Sequence, residues 1–312
     1  MISFFIRKAV QGSLMLFVVS AITFALLSSA GGDALSALRD NPQVSVETIE
    51  RLRVVYGLDQ PIGTRYLRWL GGILRGDFGE SFVFRTEVSG IIFSRLYKTF
   101  VLGLAAIAIA VTIAASLAFI HARTKSRLVD RLIGVTVLVS ASSPRLVLSL
   151  FALAIVVMLS GSAVAVRDGS VAALILAAFV LSVPLIALFL SQLHTALKQA
   201  MNEPFVQYAR AKGLSENAVI IKHASRASLD PFLAVLGLSF GAVVGGSVIV
   251  ETVLGWPGIG ALTVSAVRSR DVPLVMGIVI VSSSAVWLGN MLAEFLQIVN
   301  DTRLRVAERD RT

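Results

Sequence analysis

Apolar positions in this chain run together instead of alternating with polar ones. Six runs stand out: 9–30, 99–120, roughly 132–160, 171–193, 232–250 and 274–296. At 1.5 Å per residue, a helix of about 20 residues crosses a hydrocarbon core of roughly 30 Å. Each run therefore predicts one spanning helix, the third interrupted by Pro144-Arg145. The first run follows Arg7-Lys8 and ends in Ser28-Ser29-Ala30, the outline of a signal peptide. Its apolar stretch of about 22 residues exceeds the roughly 7–15 of a signal core, so it reads as a retained helix.

Composition sharpens the class. Of 312 residues, 56% are hydrophobic and 15% charged, and mean hydropathy is +0.83. A soluble chain would carry about 25% charge. The expected fold is an all-α polytopic membrane protein with six transmembrane helices. With the N-terminus placed in the cytoplasm, the inner segments 1–8, 121–131, 194–231 and 297–312 hold 2, 4, 5 and 4 basic residues. The short outer loops 167–170 and 251–273 hold 1 and 2. This asymmetry satisfies the positive-inside rule and puts both termini in the cytoplasm. The net charge of +9 follows from topology, and no nucleic-acid partner is needed to explain it. The absence of cysteine excludes disulfides and thiolate chemistry.

Two polar segments remain. The first, 31–98, is expected outside. There Ser45 N-caps and Gly57 C-caps a helix over SVETIERLRVVYG, and Pro61 opens a second that carries Tyr66 and Trp69 as interface anchors. It is either a packed cap or a docking surface. The second segment, 198–230, is an island between two spans. Phe205, Tyr208, Ala209 and Lys212 fall at i, i+3, i+4 and i+7, an amphipathic helix of about two turns. Gly213 ends it and Ser215 caps the next. Two short helices tethered at both ends by spans form a stiff knuckle. It either fits a groove on another protein or lies on the lipid surface.

The island, YARAKGL followed by His223, Arg226 and Pro231, resembles the cytoplasmic signature loop of binding-protein-dependent ABC importer permeases. The likeness continues through YGLDQP (56–61), RGDFGESF (75–82), GLSFGAVVGGSVIVETVLGWPGIGAL (237–262) and RDVPLVMG (270–277), in the dipeptide, oligopeptide and nickel branch. Pro204 stands where the family usually has an acid, Ala227-Ser228-Leu229-Asp230 where it has Asn-Ala-Leu-Leu, and Arg145 where it has an aromatic. The resemblance implies a single type I importer-like permease domain over 1–312 in a bacterial inner membrane. It implies a loop (Phe205, Tyr208, Ala209, Arg210, Ala211, Lys212, Gly213, Leu214) that docks on an ATP-binding subunit. The implied partners are a second, homologous permease forming a heterodimer, two ATP-binding subunits that hold ATP and Mg, and an extracytoplasmic binding protein. This chain itself would bind no cofactor. Glu251, Trp256, Pro257 and Gly258 are implied to form an outer gate or binding-protein contact, though a plain turn explains the Pro and Gly equally well.

Within the spans, Gly237, Gly241 and Gly245 recur every fourth residue on one helix face. They serve tight packing, a closing pathway, or both, since the two are compatible. Arg145, about 13 residues into the third run and so roughly 20 Å deep in a straight helix, is costly in lipid. It is either a structural ion pair or a cation in an aqueous path that attracts anionic cargo. No GxxxxGK[ST] loop exists, so the chain is not expected to be an ATPase or any other enzyme. His121, His194 and His223 stand apart in separate segments and predict no metal site. An ion-coupled transporter acting alone is the alternative; such proteins usually place acids at mid-membrane, and none stands there in this chain.

Overall fold

The computed structural model describes residues 2–29, 45–55, 57–161 and 169–300. Tyr56 of the YGLDQP motif, part of the outer segment and the basic tail 301–312 lie outside the described residues. Among the described residues the regular elements are helices, apart from one isolated antiparallel bridge between Glu80 and Glu87. They are α1 (Ile2–Ser29), α2 (Val46–Val55), α3 (Ile62–Ile73), α4 (Val88–Thr124), α5 (Arg127–Ser142), α6 (Arg145–Ser160), α7 (Val171–Ala200), α8 (Pro204–Ala211), α9 (Ser225–Leu254), α10 (Ile259–Arg268) and α11 (Val272–Asn300).

Four of these are long and apolar enough to cross a membrane on their own. The span count reaches six if the α5–α6 pair and the two halves of α9 each form one bent span. The first pair bends by 94° at the predicted interruption. Pro144 lacks an N–H and pushes its predecessor out of the α region, and Ser143 is extended at φ −86, ψ 109. The bend corrects the depth expected for Arg145, which assumed a straight helix. Helix α10 is a further departure, since its stretch reads as an outer loop in the sequence.

The sequence reads as one domain, but contacts cluster into two units: 1–98 with 261–285, and 99–260 with 286–312. In the first, α2 forms as expected. The Thr48 N–H donates to Ser45 Oγ at 3.2 Å, and Gly57 closes the helix at φ +63. Tyr66 of α3 packs on α1: its ring lies 5.4 Å from Phe24 and 6.3 Å from Phe17, and its hydroxyl is 2.9 Å from Ser20 Oγ. In the second unit, α7 carries the most buried face and packs mainly on α9 and α5. Ala106, Ala110, Ala114, Ala118 and Ala122 of α4 form a buried stripe in the same core. Such small residues at every fourth position let helices approach closely. The glycines of α9 show this pattern in the sequence, and the longer alanine row belongs beside them.

Candidate functional site

The knuckle is built from local rules. Helix α7 ends at Ala200, and Pro204 starts α8 at its first turn, where a missing N–H costs nothing. At the other end the Gly213 N–H donates to Arg210 O (2.9 Å) and the Leu214 N–H to Ala209 O (3.4 Å), with Gly213 at φ +78. This is a Schellman close, which glycine adopts without strain. Ser215 caps the next turn, Glu216–Ala218. A π-helical stretch, Val219–Ala224, then runs directly into α9. The expected second helix is thus the root of the following span.

The face of α8 differs from the one predicted. Val206 (0% exposed) and Ala209 (3%) point into the chain, where Val219, Ile220 and Ala224 are also buried. Phe205 (43%) and Tyr208 (62%) point out. Lys212 lies over the Tyr208 ring with Nζ 4.6 Å from its centre, and Ala211, Gly213 and Leu214 are exposed. Ala209 therefore belongs to the internal seat, not to the surface. The reason is steric: Val206 and Ala209 are the smaller pair, one position out of register with the aromatics, and they let α8 sit close to its support.

A brace crosses the glycine. Arg210 donates from Nε to Glu216 Oε2 (3.1 Å) and from Nη2 to Oε1 (2.7 Å), and Lys125 Nζ stands 3.8 Å from the same Oε1. The hydrogen bonds from Arg210 hold the Glu216 carboxyl below its ordinary value, against the opposing effect of burial, and the charges of Arg210 and Lys125 add to them. A depressed carboxyl contributes stability above its unfolded pKa and loses it as pH falls through the folded value. The brace should stay closed from neutral pH down past the ordinary glutamate pKa of about 4.3 and open only below it. Spin labels on either side of Gly213 should report one distance down to that pH and a broadened one beneath it. Glu216→Gln should give the broadened distance already at neutral pH.

The α9 glycines divide. A Cβ on Gly237 would lie 2.0 Å from the Ala293 Cβ, and one on Gly241 3.3 Å from Val286 Cγ1. Both positions are packed against α11, whereas Gly245 is exposed and meets nothing within 4 Å. Gly246, which the sequence does not single out, lies beneath Arg145: a Cβ there would be 2.7 Å from the guanidinium carbon. The Arg145 Nε is buried with no hydrogen-bond partner among the described residues. Glu251 and Trp256 are 0% and 6% exposed, so they are interior groups and not a surface. Thr99 Oγ1 donates to Glu251 Oε1 (2.7 Å) and accepts from the Ile259 N–H (2.8 Å). Gly258 and Gly260 leave the room this carboxylate occupies, since a Cβ on either would fall within 3 Å of it. Pro257 is half-buried in the same turn.

Residues 106–306 match the family described as binding-protein-dependent transport system inner membrane component, and residues 1–103 match the N-terminal region of such components. The chain belongs to this permease family. It is 31% identical over 98% of its length to a Brucella suis biovar 1 protein, provisionally named a peptide permease protein, all of which is covered. It is 30% identical over 97% of its length to the oligopeptide transport system permease protein AppB of Bacillus subtilis (99% of that chain covered). It is also 30% identical over 98% of its length to the glutathione transport system permease protein GsiC of Escherichia coli K12 (99% covered). The protein is thus a multi-pass membrane permease subunit of an ABC importer, in a family of transport components, not enzymes. The stand-alone transporter is not favoured.

Two features of the permease escaped sequence reasoning. The motifs RGDFGESF and RDVPLVMG meet in one hydrogen-bond hub. Asp271 (0% exposed) accepts from Ser81 Oγ and the Val83 N–H (3.1 Å) through Oδ2, and from the Leu274 N–H (3.3 Å) through Oδ1. Its place before Val272-Pro273 is an N-cap signal readable in the sequence; its partner 190 residues away is not. The second feature corrects the expected separation of the histidines. His121 and His194 converge, with ring centres 4.6 Å apart, beside Asp130.

Proposed function

We propose that this permease imports peptides or related small solutes and that α8 seats in a groove of an ATP-binding subunit on the cytoplasmic side. Both termini lie on that side, as the basic-residue asymmetry supports. Six spans carry the pathway beside a second, homologous permease. ATP and Mg are held by two partner subunits, and cargo arrives from an extracytoplasmic binding protein. The cargo class follows the relatives' names, which cover peptides, oligopeptides and glutathione. Opines and nickel chelates belong to the wider field of candidates. Arg145, Gly237, Gly241 and Gly245 are the pathway candidates, Gly237 and Gly241 also packing against α11.

One observation carries the reading. Phe205 and Tyr208 project outward from a helix fixed at both ends and braced across its turn. Exposed aromatics on a rigid frame are the side chains that anchor protein grooves. ATP-driven closure of the partner subunits would push on this frame, and its direct continuation into α9 would pass the push to a span. Replacing both residues (Phe205→Asp with Tyr208→Asp) should cost about 2 kcal/mol or more of docking, roughly 30-fold. The check is co-purification of the ATP-binding subunits in mild detergent together with uptake of labelled peptide. Full retention of the subunits and full uptake would refute the docking. An unchanged complex that takes up no peptide but does carry another solute would leave the docking intact and refute the cargo.

A further inference from the structure

The convergence of His121, Asp130 and His194 is not used by the docking argument. His121 stands near the C-terminus of α4, Asp130 in the first turn of α5 and His194 late in α7, so three helices supply one residue each. Asp130 Oδ1 lies 3.2 Å from His194 Nε2 and 3.8 Å from His121 Nε2, and one donor atom from each residue falls within 4.8 Å of the others. The two imidazoles are mostly buried (15% and 16% exposed). The His121 Nδ1 and His194 Nε2 atoms are buried without a well-formed hydrogen bond among the described residues, the latter close to Asp130. A buried ring nitrogen left unpaired is costly, and the His194 Nε2 faces the same carboxylate oxygen as the His121 Nε2.

The geometry points to a binding site for a divalent transition-metal ion of the zinc class, held by His121, Asp130 and His194. Bonds of about 2.0–2.1 Å in a tetrahedron put neighbouring ligand atoms ~3.3 Å apart. The two measured separations bracket that value, and one donor atom from each residue lies within 4.8 Å of the others. Two imidazoles and one carboxylate suit zinc, cobalt or nickel; calcium and magnesium need more oxygen ligands than stand here. The triad opens on a cleft of ≈ 320 Å³, which leaves room for a fourth ligand. Lys125, Arg127 and Lys198 also line that cleft and lower its affinity for any cation, so the site is of moderate strength and reversible. Lys125 is directed at Glu216 of the knuckle. A bound ion would therefore join α4, α5 and α7 at the base of α8 and resist their relative movement.

The test uses the full-length chain, purified with its partners and without a histidine tag. Equilibrium dialysis against zinc, read by elemental analysis, should show one ion per chain. His194→Ala and His121→Ala should each weaken binding by at least about tenfold, while His223→Ala should leave it unchanged. Cobalt loaded in place of zinc should give the intense visible bands of tetrahedral coordination and lose them when zinc is added. The cobalt measurement needs no variant and stands even if a substitution unfolds the chain. An unmodified protein that takes up no zinc and shows no cobalt bands overturns the proposal. Undiminished binding in the His121→Ala/His194→Ala double variant overturns it as well.

Discussion

Gly213→Val is expected to reduce uptake about tenfold or more while leaving the amount of permease in the membrane unchanged. The cause is backbone, not bulk. Gly213 sits at φ +78, and a Cβ placed there would meet nothing within 4 Å. A β-branched residue in the left-handed region costs at least roughly 1–2 kcal/mol, which the turn can relieve by rotating out of that region. Rotation would break the Leu214 to Ala209 bond and part Arg210 from Glu216, and so re-aim Phe205 and Tyr208. Gly213→Asn should retain most activity, because asparagine tolerates the left-handed region. The measurements are uptake in cells and the level of permease in isolated membranes. Equal transport by the Val and Gly proteins would show that the turn's geometry does not matter to coupling.

Asp271→Ala should produce the largest loss of stability, on the order of 3 kcal/mol or more. Asp271 is fully buried and accepts hydrogen bonds from Ser81, Val83 and Leu274. Alanine would leave those donors unpaired, and a buried donor without an acceptor costs about 1–3 kcal/mol. Ser81 is itself a junction, since its Oγ also accepts from the Phe84 N–H (3.0 Å). The whole turn that carries RGDFGESF therefore depends on this carboxylate. The expected results are a lowered thermal midpoint in detergent and less protein in the membrane. Asp271→Asn, which keeps one acceptor oxygen, should fall between the two. A wild-type midpoint in Asp271→Ala would mean that the hub does not hold the unit together.

Much of the site was legible because it obeys rules that act within a few residues. Gly213 must close a helix, Ser215 must cap the next turn, and Pro144 must interrupt a span; each appears as expected. The failures share one cause. The stripe from Phe205 through Lys212 is amphipathic on paper, yet the chain buries the adjacent pair, Val206 and Ala209. Period alone cannot tell which of two overlapping apolar faces the rest of the protein will cover. Glu251 looked like a surface acid beside a Trp-Pro-Gly turn, but that turn folds back over it, with glycines where its oxygens lie.

The sequence by itself determined the class, the long apolar helices and the knuckle. Hydrocarbon length, cap chemistry and backbone freedom are local properties, and every residue carries its own share of them. Only the tertiary structure decided which face of α8 looks outward, that Glu251 and Asp271 are interior acceptors, and that two histidines 73 positions apart share a carboxylate. Those outcomes depend on which helices pack side by side, and that choice is made by the whole set of buried faces at once.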